Sequence, residues 1–316
     1  MNVSVTTYNM NTVSTIIPIF AVIILGLFAR KKGFIPEEFI GPANRLVYYL
    51  AIPAMIFSST SKASLKTQFD AMVLFITLAS VLVVFAIAWG VGMTRHIQRA
   101  QLGTYMQASF HGNLGYIGLA VAYYFLGNEG FVRASIIAGF IMILQNILAV
   151  VALQLNSGDF TVRENKWHVV LRILLNPIIL SAAAGILFSL AGFRMPIVVD
   201  RSLDILSSLA LPMALLVIGA SLTFKLMQSQ ILRVLSTGFM KLVLLPGFGF
   251  LLFRIFDVSV QDYLPGLILL ASPSATVTYV MAKEMGGDAD FAVAAISTST
   301  MLSSITFSIW LYICAI

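Results

Sequence analysis

The sequence predicts an all-α membrane protein of ten transmembrane helices, arranged as two inverted repeats of five. Three observations carry that expectation. Hydrophobic residues make up 59% of the chain and charged residues 10%, with mean hydropathy +0.96; soluble domains carry about 25% charge. A spanning helix needs roughly 20 mostly apolar residues, so the chain has room for about ten spans and for no soluble domain. Finally, one constant offset of 159 residues lays landmarks of the first half on the second.

The polar, uncharged stretch Met1 to Asn11 lacks the basic region of a cleaved signal peptide, so the first apolar run is expected to stay as a span. Apolar runs place spans at 14–30, 41–59, 71–93, 102–127 and 131–155, then 169–191, 203–224, 231–256, 263–283 and 289–314. The most polar connection, Asn156 to His168, divides the chain into residues 1–157 and 158–316. With the N-terminus outside, twelve basic residues fall in inside loops: Arg30, Lys31, Lys32, Arg45, Arg95, Arg99, Arg163, Lys166, Arg172, Lys225, Arg233 and Lys283. Six fall outside: Lys62, Lys66, Arg133, Arg194, Arg201 and Arg254. That bias puts both termini outside a plasma (inner) membrane. It also accounts for the net charge of +6 without nucleic acid, since no surface mixing basic and aromatic residues is evident. The lone Cys314 excludes an intrachain disulfide, a cysteine-based zinc site and a CxxC pair. No cofactor or metal motif occurs, and the lack of a Walker A loop disfavours ATP-driven transport by this chain alone.

The 159-residue offset places Pro18 on Pro177, Gly26 on Gly185, and Gly33-Phe34 on Gly192-Phe193. It also sets Leu50-Ala51-Ile52-Pro53 on Leu209-Ala210-Leu211-Pro212, and Gly127 on Gly286. Five spans per half is an odd number, so the second half must insert upside down. Inverted repeats mark secondary transporters, whose sites lie near the midplane at discontinuous helices.

The fourth span carries His111, Gly112, Asn113, Gly115 and Gly118 in its middle, a poor recipe for an unbroken helix facing lipid. The offset pairs Asn113 with Ser272, where the ninth span has its own interruption, Ser272-Pro273-Ser274-Ala275-Thr276. Proline removes a backbone hydrogen bond and breaks or kinks a helix. Two breaks in corresponding positions point to a transport site. The first break is expected to depend on glycine flexibility.

Lys241, well inside the eighth span, is costly there and a candidate for function; it could attract an anion or brace a broken helix. All thirteen Asp and Glu fall in loops or at span ends, which disfavours a cation/proton antiporter. Broken-helix N-termini suit a carboxylate, so an anionic or weakly acidic cargo is expected. Asn113, with backbone N–H groups from Gly112 to Gly115, would bind the carboxylate. Ser272, Ser274 and Thr276 would complete the site beside Pro273, with Lys241 supplying positive potential. His111, Asn146 and Asn176 are further candidates. Gln145 and Asn146 could also bond across helices, and the hydroxyls of Ser297 to Thr300, Ser303 and Ser304 allow close packing. An intramembrane serine protease using Ser221 and His111 is a distant alternative, because Leu222 stands where that motif has glycine.

The chain resembles the auxin efflux carrier family of permeases, in its compact prokaryotic form. Asn44-Arg45-Leu46-Val47 with Ala51-Ile52-Pro53 is similar to that family's second span. Asn113, Gly115, Tyr116, Ile117 and Gly118 resemble its Asn-x-Gly-Phe-x-Gly stretch. Asn176-Pro177, Lys241-Leu242-Val243 with Pro246, and Pro273 leading to Ala282-Lys283-Glu284 resemble later motifs. The resemblance implies fourth and ninth spans that are broken and cross at the midplane, elevator-like alternating access, and carboxylate or dicarboxylate cargo. It implies that Asn113 contacts the carboxylate and that Pro273 marks the second break. Two departures stand out: Ala120 occupies a position where family members often have proline, and Gly112 one where plant members have it. A sodium-coupled organic-anion symporter of the bile-acid type is the nearest alternative. The coupling ion (H⁺ or Na⁺) and a homodimer are left open.

Overall fold

The computed structural model describes residues 2–62, 69–156, 175–193, 195–223 and 230–315. The connection predicted to divide the halves, the start of the sixth span, and Lys66, Arg163, Lys166, Arg172, Arg194 and Lys225 lie outside them. The described residues are helical apart from short connections. In order they form α1 (Asn2–Lys31), α2 (Glu37–Leu46), α3 (Ile52–Ser61), α4 (Ala71–Thr94), α5 (Arg99–Phe110), α6 (Leu119–Asn156), α7 (Pro177–Leu190) and α8 (Ile197–Ser221). There follow α9 (Ile231–Phe239), α10 (Leu245–Ile255), α11 (Val260–Ala271), α12 (Val277–Glu284) and α13 (Ala289–Ala315).

Among the described residues, six helical stretches are long and apolar enough to cross a membrane: Ser14–Lys31, Ala71–Thr94, Leu114–Asn156, Ile197–Ser221, Ile231–Ile255 and Ala289–Cys314. Pro177–Leu190 and Val260–Ala271 are apolar but shorter. The difference from ten predicted spans has local causes in part, and the second predicted span is divided among α2, the π turn Val47–Ala51 and α3. The ninth is cut by its break into α11 and α12. Residues of the fourth and fifth run together in α6, with a bend at Gly127, where φ is 68°.

Local chemistry sets the helix ends. Asp70 Oδ1 accepts from the Met72 and Val73 amides at 2.8 and 3.1 Å, so the uncharged α4 starts with two of its free N–H groups capped. Among the described residues, four glycines have left-handed backbone: Gly33, Gly127, Gly192 and Gly286, with φ of 78°, 68°, 68° and 71°. L-residues adopt this conformation at a cost that glycine avoids. They form two pairs separated by the same 159 positions as the sequence landmarks. Between them the spacing drifts: His96 and Asp257, with φ of 50° and 51°, are 161 apart, as are the starts of the 12-residue helices α5 and α11.

Among the described residues, three π-helical turns interrupt the helices, at Val47–Ala51, Leu114–Gly118 and Met240–Leu244. The first and third each begin six residues before a proline, Pro53 and Pro246. Proline has no N–H for the carbonyl four residues back; for Pro246 that carbonyl belongs to Leu242, and Trp310 Nε1 donates to it instead at 2.9 Å. The second begins six residues before Ala120. A widened turn forms there without proline.

The helices pack as two groups. In the first, α1 lies on α8, and α3 lies between α7 and α8. Gly26 and Gly219 let α1 and α8 touch backbone to backbone: a Cβ on Gly26 would sit 2.2 Å from the Leu216 carbonyl oxygen. The second holds α4, α5, α6 and α9 to α13, with α11 packed against α4, α6, α10, α13 and the π turn of the fourth span. The groups meet where α1 rests on α13 and α6, and α3 on α6.

Candidate functional site

The centre of the second group is a crossing of two broken helices. α5 stops at Phe110, and His111 turns extended (φ −78°, ψ 102°). α11 stops at Ala271, and Ser272 does the same (φ −62°, ψ 144°). The two extended segments then pair as one rung of antiparallel sheet, Gly112 opposite Ser274. The Asn113 amide donates to the Pro273 carbonyl at 2.7 Å, and the Ala275 amide donates to the His111 carbonyl at 2.9 Å. Backbone groups freed by each break are thus satisfied by the other, as the interior of a bilayer demands.

In space Gly112 faces Ser274; the 159-residue offset that pairs Asn113 with Ser272 is a correspondence between the repeats and sets no facing pair. The rung corrects one sequence expectation: the first break does not draw on glycine's left-handed conformational freedom, because Gly112 does not have left-handed φ. It draws on the missing side chain. A Cβ on Gly112 would lie 2.8 Å from Ser272 Oγ, 3.1 Å from Leu114 Cδ2 and 3.2 Å from Lys241 Cε. Gly115 is equally confined, with Ile178 Cδ1 at 2.9 Å from a built Cβ.

Neighbouring helices hold the crossing. Gln145 on α6 reaches both sides of the first break: its Oε1 accepts from the Gly112 amide at 3.2 Å and its Nε2 donates to the Phe110 carbonyl at 3.0 Å. Lys241, fully buried in the third π turn, donates from Nζ to the Leu270 carbonyl at 2.8 Å. Bracing is therefore the contact Lys241 makes, of the two roles its sequence position left open. The carbonyl end of a helix is the end that favours a lysine. Ser299 Oγ accepts from the Ser274 amide at 3.1 Å, and Ser274 Oγ donates to the Ala108 carbonyl at 2.8 Å. Ser272 Oγ donates to the Leu269 carbonyl of its own helix at 2.6 Å.

Asn113 differs from these. Its carbonyl accepts from the Ile117 and Gly118 amides, its amide is in the rung, and its side chain is 4% exposed with Nδ2 unpartnered. It stands at the N-terminal end of the helix that continues through the π turn into α6, where first-turn N–H groups lack helical partners. A buried donor without an acceptor costs about 1–3 kcal/mol, so the position suits a ligand oxygen. Thr276, half-buried, opens α12 in the same way from the other half, with no side-chain bond across its cap.

Other candidates lie elsewhere. Asn146 donates to the Met142 carbonyl of its own helix at 2.8 Å. Asn176 Oδ1 caps α7 by accepting from the Ile178 amide at 2.9 Å. His111 is buried, stacks on Phe110, and places Nδ1 3.3 Å from Gln107 Nε2. Ser221 Oγ donates to the Val217 carbonyl at 2.7 Å, a bond within its own helix that leaves nothing of a nucleophile–base pair. Sequence reasoning read Gln145 only as interhelical glue and passed over Gln107 and Trp310. An amide in an otherwise apolar span was the available signal for the first two.

A family model described as "Membrane transport protein" matches residues 12–311. The chain belongs to that family, the auxin efflux carriers. This auxin efflux carrier family member is similar to a Rhizobium meliloti (strain 1021) protein named "Putative malonate transporter", 27% identical over 94% of both chains. It is 25% identical to an "Uncharacterized transporter" of Methanothermobacter thermautotrophicus, over 95% of this chain and 98% of the relative. It is 21% identical to "Uncharacterized transporter YfdV" of Escherichia coli (strain K12), over 95% and 97%. The carrier is a multi-pass membrane protein and a transporter rather than an enzyme.

Proposed function

We propose that this carrier is a secondary transporter of a small organic anion, a carboxylate or dicarboxylate, bound at the crossing of the two broken helices. One observation carries the reading: Asn113 Nδ2 is buried and unpartnered at the N-terminal end of a half-helix. Such an end offers N–H groups and partial positive charge to a carboxylate. Gly112 and Gly115 let the backbone approach closely, Ser272, Pro273, Ser274 and Thr276 form the facing wall, and Lys241 braces it. The name of the Rhizobium meliloti relative agrees with a dicarboxylate cargo.

In this reading the chain has ten spans in two inverted five-helix repeats, residues 1–157 and 158–316, in a plasma membrane with both termini outside. The paired left-handed glycines at one spacing support the repeat. Transport is by alternating access with an elevator-like movement. The division of the helices into two groups supports that step. With one exception, the interhelical side-chain bonds described here stay within a group. Lys62 with Asp200, Ser58 with Asp204 and Arg30 with the Ala220 carbonyl belong to the first. Arg133 with Asp262, Tyr105 with Ser236 and Lys241 with Leu270 belong to the second.

The test is uptake of labelled malonate and malate by proteoliposomes, with and without Na⁺ and pH gradients. Wild-type protein is expected to transport at least one acid, and Asn113→Ala to lose that transport while eluting as folded protein. Wild-type rates in Asn113→Ala would remove Asn113 from the site. Dependence on the Na⁺ gradient would make the carrier a sodium symporter, and dependence on pH alone a proton-coupled one.

A further inference from the structure

Asn113 is not the sole orphan near the crossing. Gln107 Oε1 and Thr278 Oγ1 are also buried without a hydrogen-bond partner, and both residues are 0% exposed. They come from opposite halves of the chain, on helices that Gln107 joins. Gln107 sits one turn before the first break on α5, and its Nε2 contacts Met281 Sδ at 3.2 Å. Met281 lies three residues after Thr278 on α12, so the two share a helix face. The same Gln107 amide nitrogen is 3.3 Å from His111 Nδ1, two residues from Asn113.

These atoms have complementary chemistry. Asn113 Nδ2 can only donate. Gln107 Oε1 can only accept, and its amide nitrogen, held between His111 and Met281, keeps that oxygen turned away from both. Buried oxygens of this kind are hydrogen-bonded in nearly all folded proteins, so Gln107 Oε1 calls for a donor, and the Thr278 hydroxyl, which can accept or donate, calls for a partner. A cation held by oxygen ligands needs a shell of about six, and the two oxygens here sit beside a thioether and an amide nitrogen. A ligand O–H fits them.

We propose that Gln107 and Thr278 form a subsite, with Gln107 Oε1 as the acceptor and the Thr278 hydroxyl as a second partner, that selects carboxylates bearing an O–H donor next to the carboxylate bound by Asn113. The donor is a hydroxyl or the protonated second carboxyl of a dicarboxylic acid. This subsite rests on the reading of the crossing as a carboxylate site, and it adds the residues that discriminate among carboxylates. Sites built to bond a substrate hydroxyl reject the analogue lacking it strongly, because their own polar groups are then left unpaired.

The experiment is a thermal-shift titration of the purified full chain against acid pairs that differ in one hydroxyl: lactate and propionate, tartronate and malonate, malate and succinate. Wild-type protein is expected to respond to the hydroxy member of at least one pair at a concentration lower by about tenfold or more. Gln107→Leu should erase that difference while still binding the plain acid. Thr278→Val, nearly isosteric, should at least narrow it, and it serves as the variant of record if Gln107→Leu does not elute as a single species. Repeating malonate in mildly acidic and mildly alkaline buffer separates the two donors. A hydroxyl gives a preference that persists in both buffers, whereas a protonated carboxyl makes malonate gain in acid until it matches tartronate. Equal binding within every pair in both buffers overturns the subsite and leaves the carboxylate site standing. A preference that survives in both variants also overturns it. If no acid binds the wild type, the proposed function falls with it.

Discussion

Lys241 Nζ lies 2.8 Å from the carbonyl oxygen of Leu270, the penultimate residue of α11. The lysine thereby occupies a carbonyl that the break at Ser272 would otherwise leave without a helical partner. Its own backbone sits in a π turn ahead of Pro246, so a proline on one span positions the side chain that closes a break on another. Replacing Lys241 by Met keeps the volume and removes the bond. The expected cost is about 1–3 kcal/mol, read as a lower melting temperature in detergent, together with reduced transport. An undiminished melting temperature would mean that the Leu270 carbonyl finds another donor.

Gly112→Ala tests whether the crossing depends on close approach. The added methyl meets Ser272 Oγ at 2.8 Å and Lys241 Cε at 3.2 Å, so either the rung opens or the lysine gives way. Overpacking of this sort costs about 1–3 kcal/mol. Gly127→Ala is the control, because its strain is conformational: φ is 68° and no atom lies within 4 Å of the built Cβ. Melting temperature should fall for both variants, whereas transport by the folded fraction should fall for Gly112→Ala alone.

How much of this was legible in the sequence depends on whether a feature has a local cause. The left-handed glycines could be read because few residues tolerate their φ, and Gly33, Gly127, Gly192 and Gly286 therefore recur at one spacing. The ninth-span break could be read from Pro273. The register of the crossing could not, because it depends on where α5 and α11 start rather than on the residues at the rung. The π turn at Leu114–Gly118 lacks even the proline that follows the other two. Gln145 was visible as a polar residue in an apolar span, but its two partners, Gly112 and Phe110, lie 33 and 35 positions away.

Gln145 therefore offers a sharper test than its sequence position suggests. Gln145→Leu strands both the Gly112 amide and the Phe110 carbonyl, each at about 1–3 kcal/mol. Gln145→Glu keeps an acceptor for Gly112 and loses the donor to Phe110. The expected order of melting temperatures is wild type, then Glu, then Leu. Leu above Glu would indicate that the buried carboxylate, rather than the lost bonds, dominates.

Asn113 should show the opposite balance between stability and function. Its Nδ2 has no partner in the protein, so removing it takes away an unpaired buried donor rather than a bond. Replacing such a group with an apolar one of the same shape is close to neutral or stabilising. Asn113→Leu is expected to melt at or above the wild-type temperature in the absence of ligand, to lose the thermal shift produced by a bound acid, and to stop transport. A clear drop in the ligand-free melting temperature would instead make Asn113 a structural residue of the break.

The seam between the two helix groups is crossed by one of the side-chain bonds described here, from the Thr223 amide to Ser297 Oγ at 3.1 Å. Thr223 lies just past the end of α8, and Ser297 is buried on α13. Elevator-like movement of one group against the other would have to break this bond, while the bonds inside each group could persist. Ser297→Ala should therefore lower the melting temperature by little, since one partly buried N–H is released, and should change the transport rate by more than the stability loss explains. Ser299→Ala is the contrast, because Ser299 bonds Ser274 within one group. It should reduce stability and transport together. If the two variants behave alike, the seam does not lie between α8 and α13.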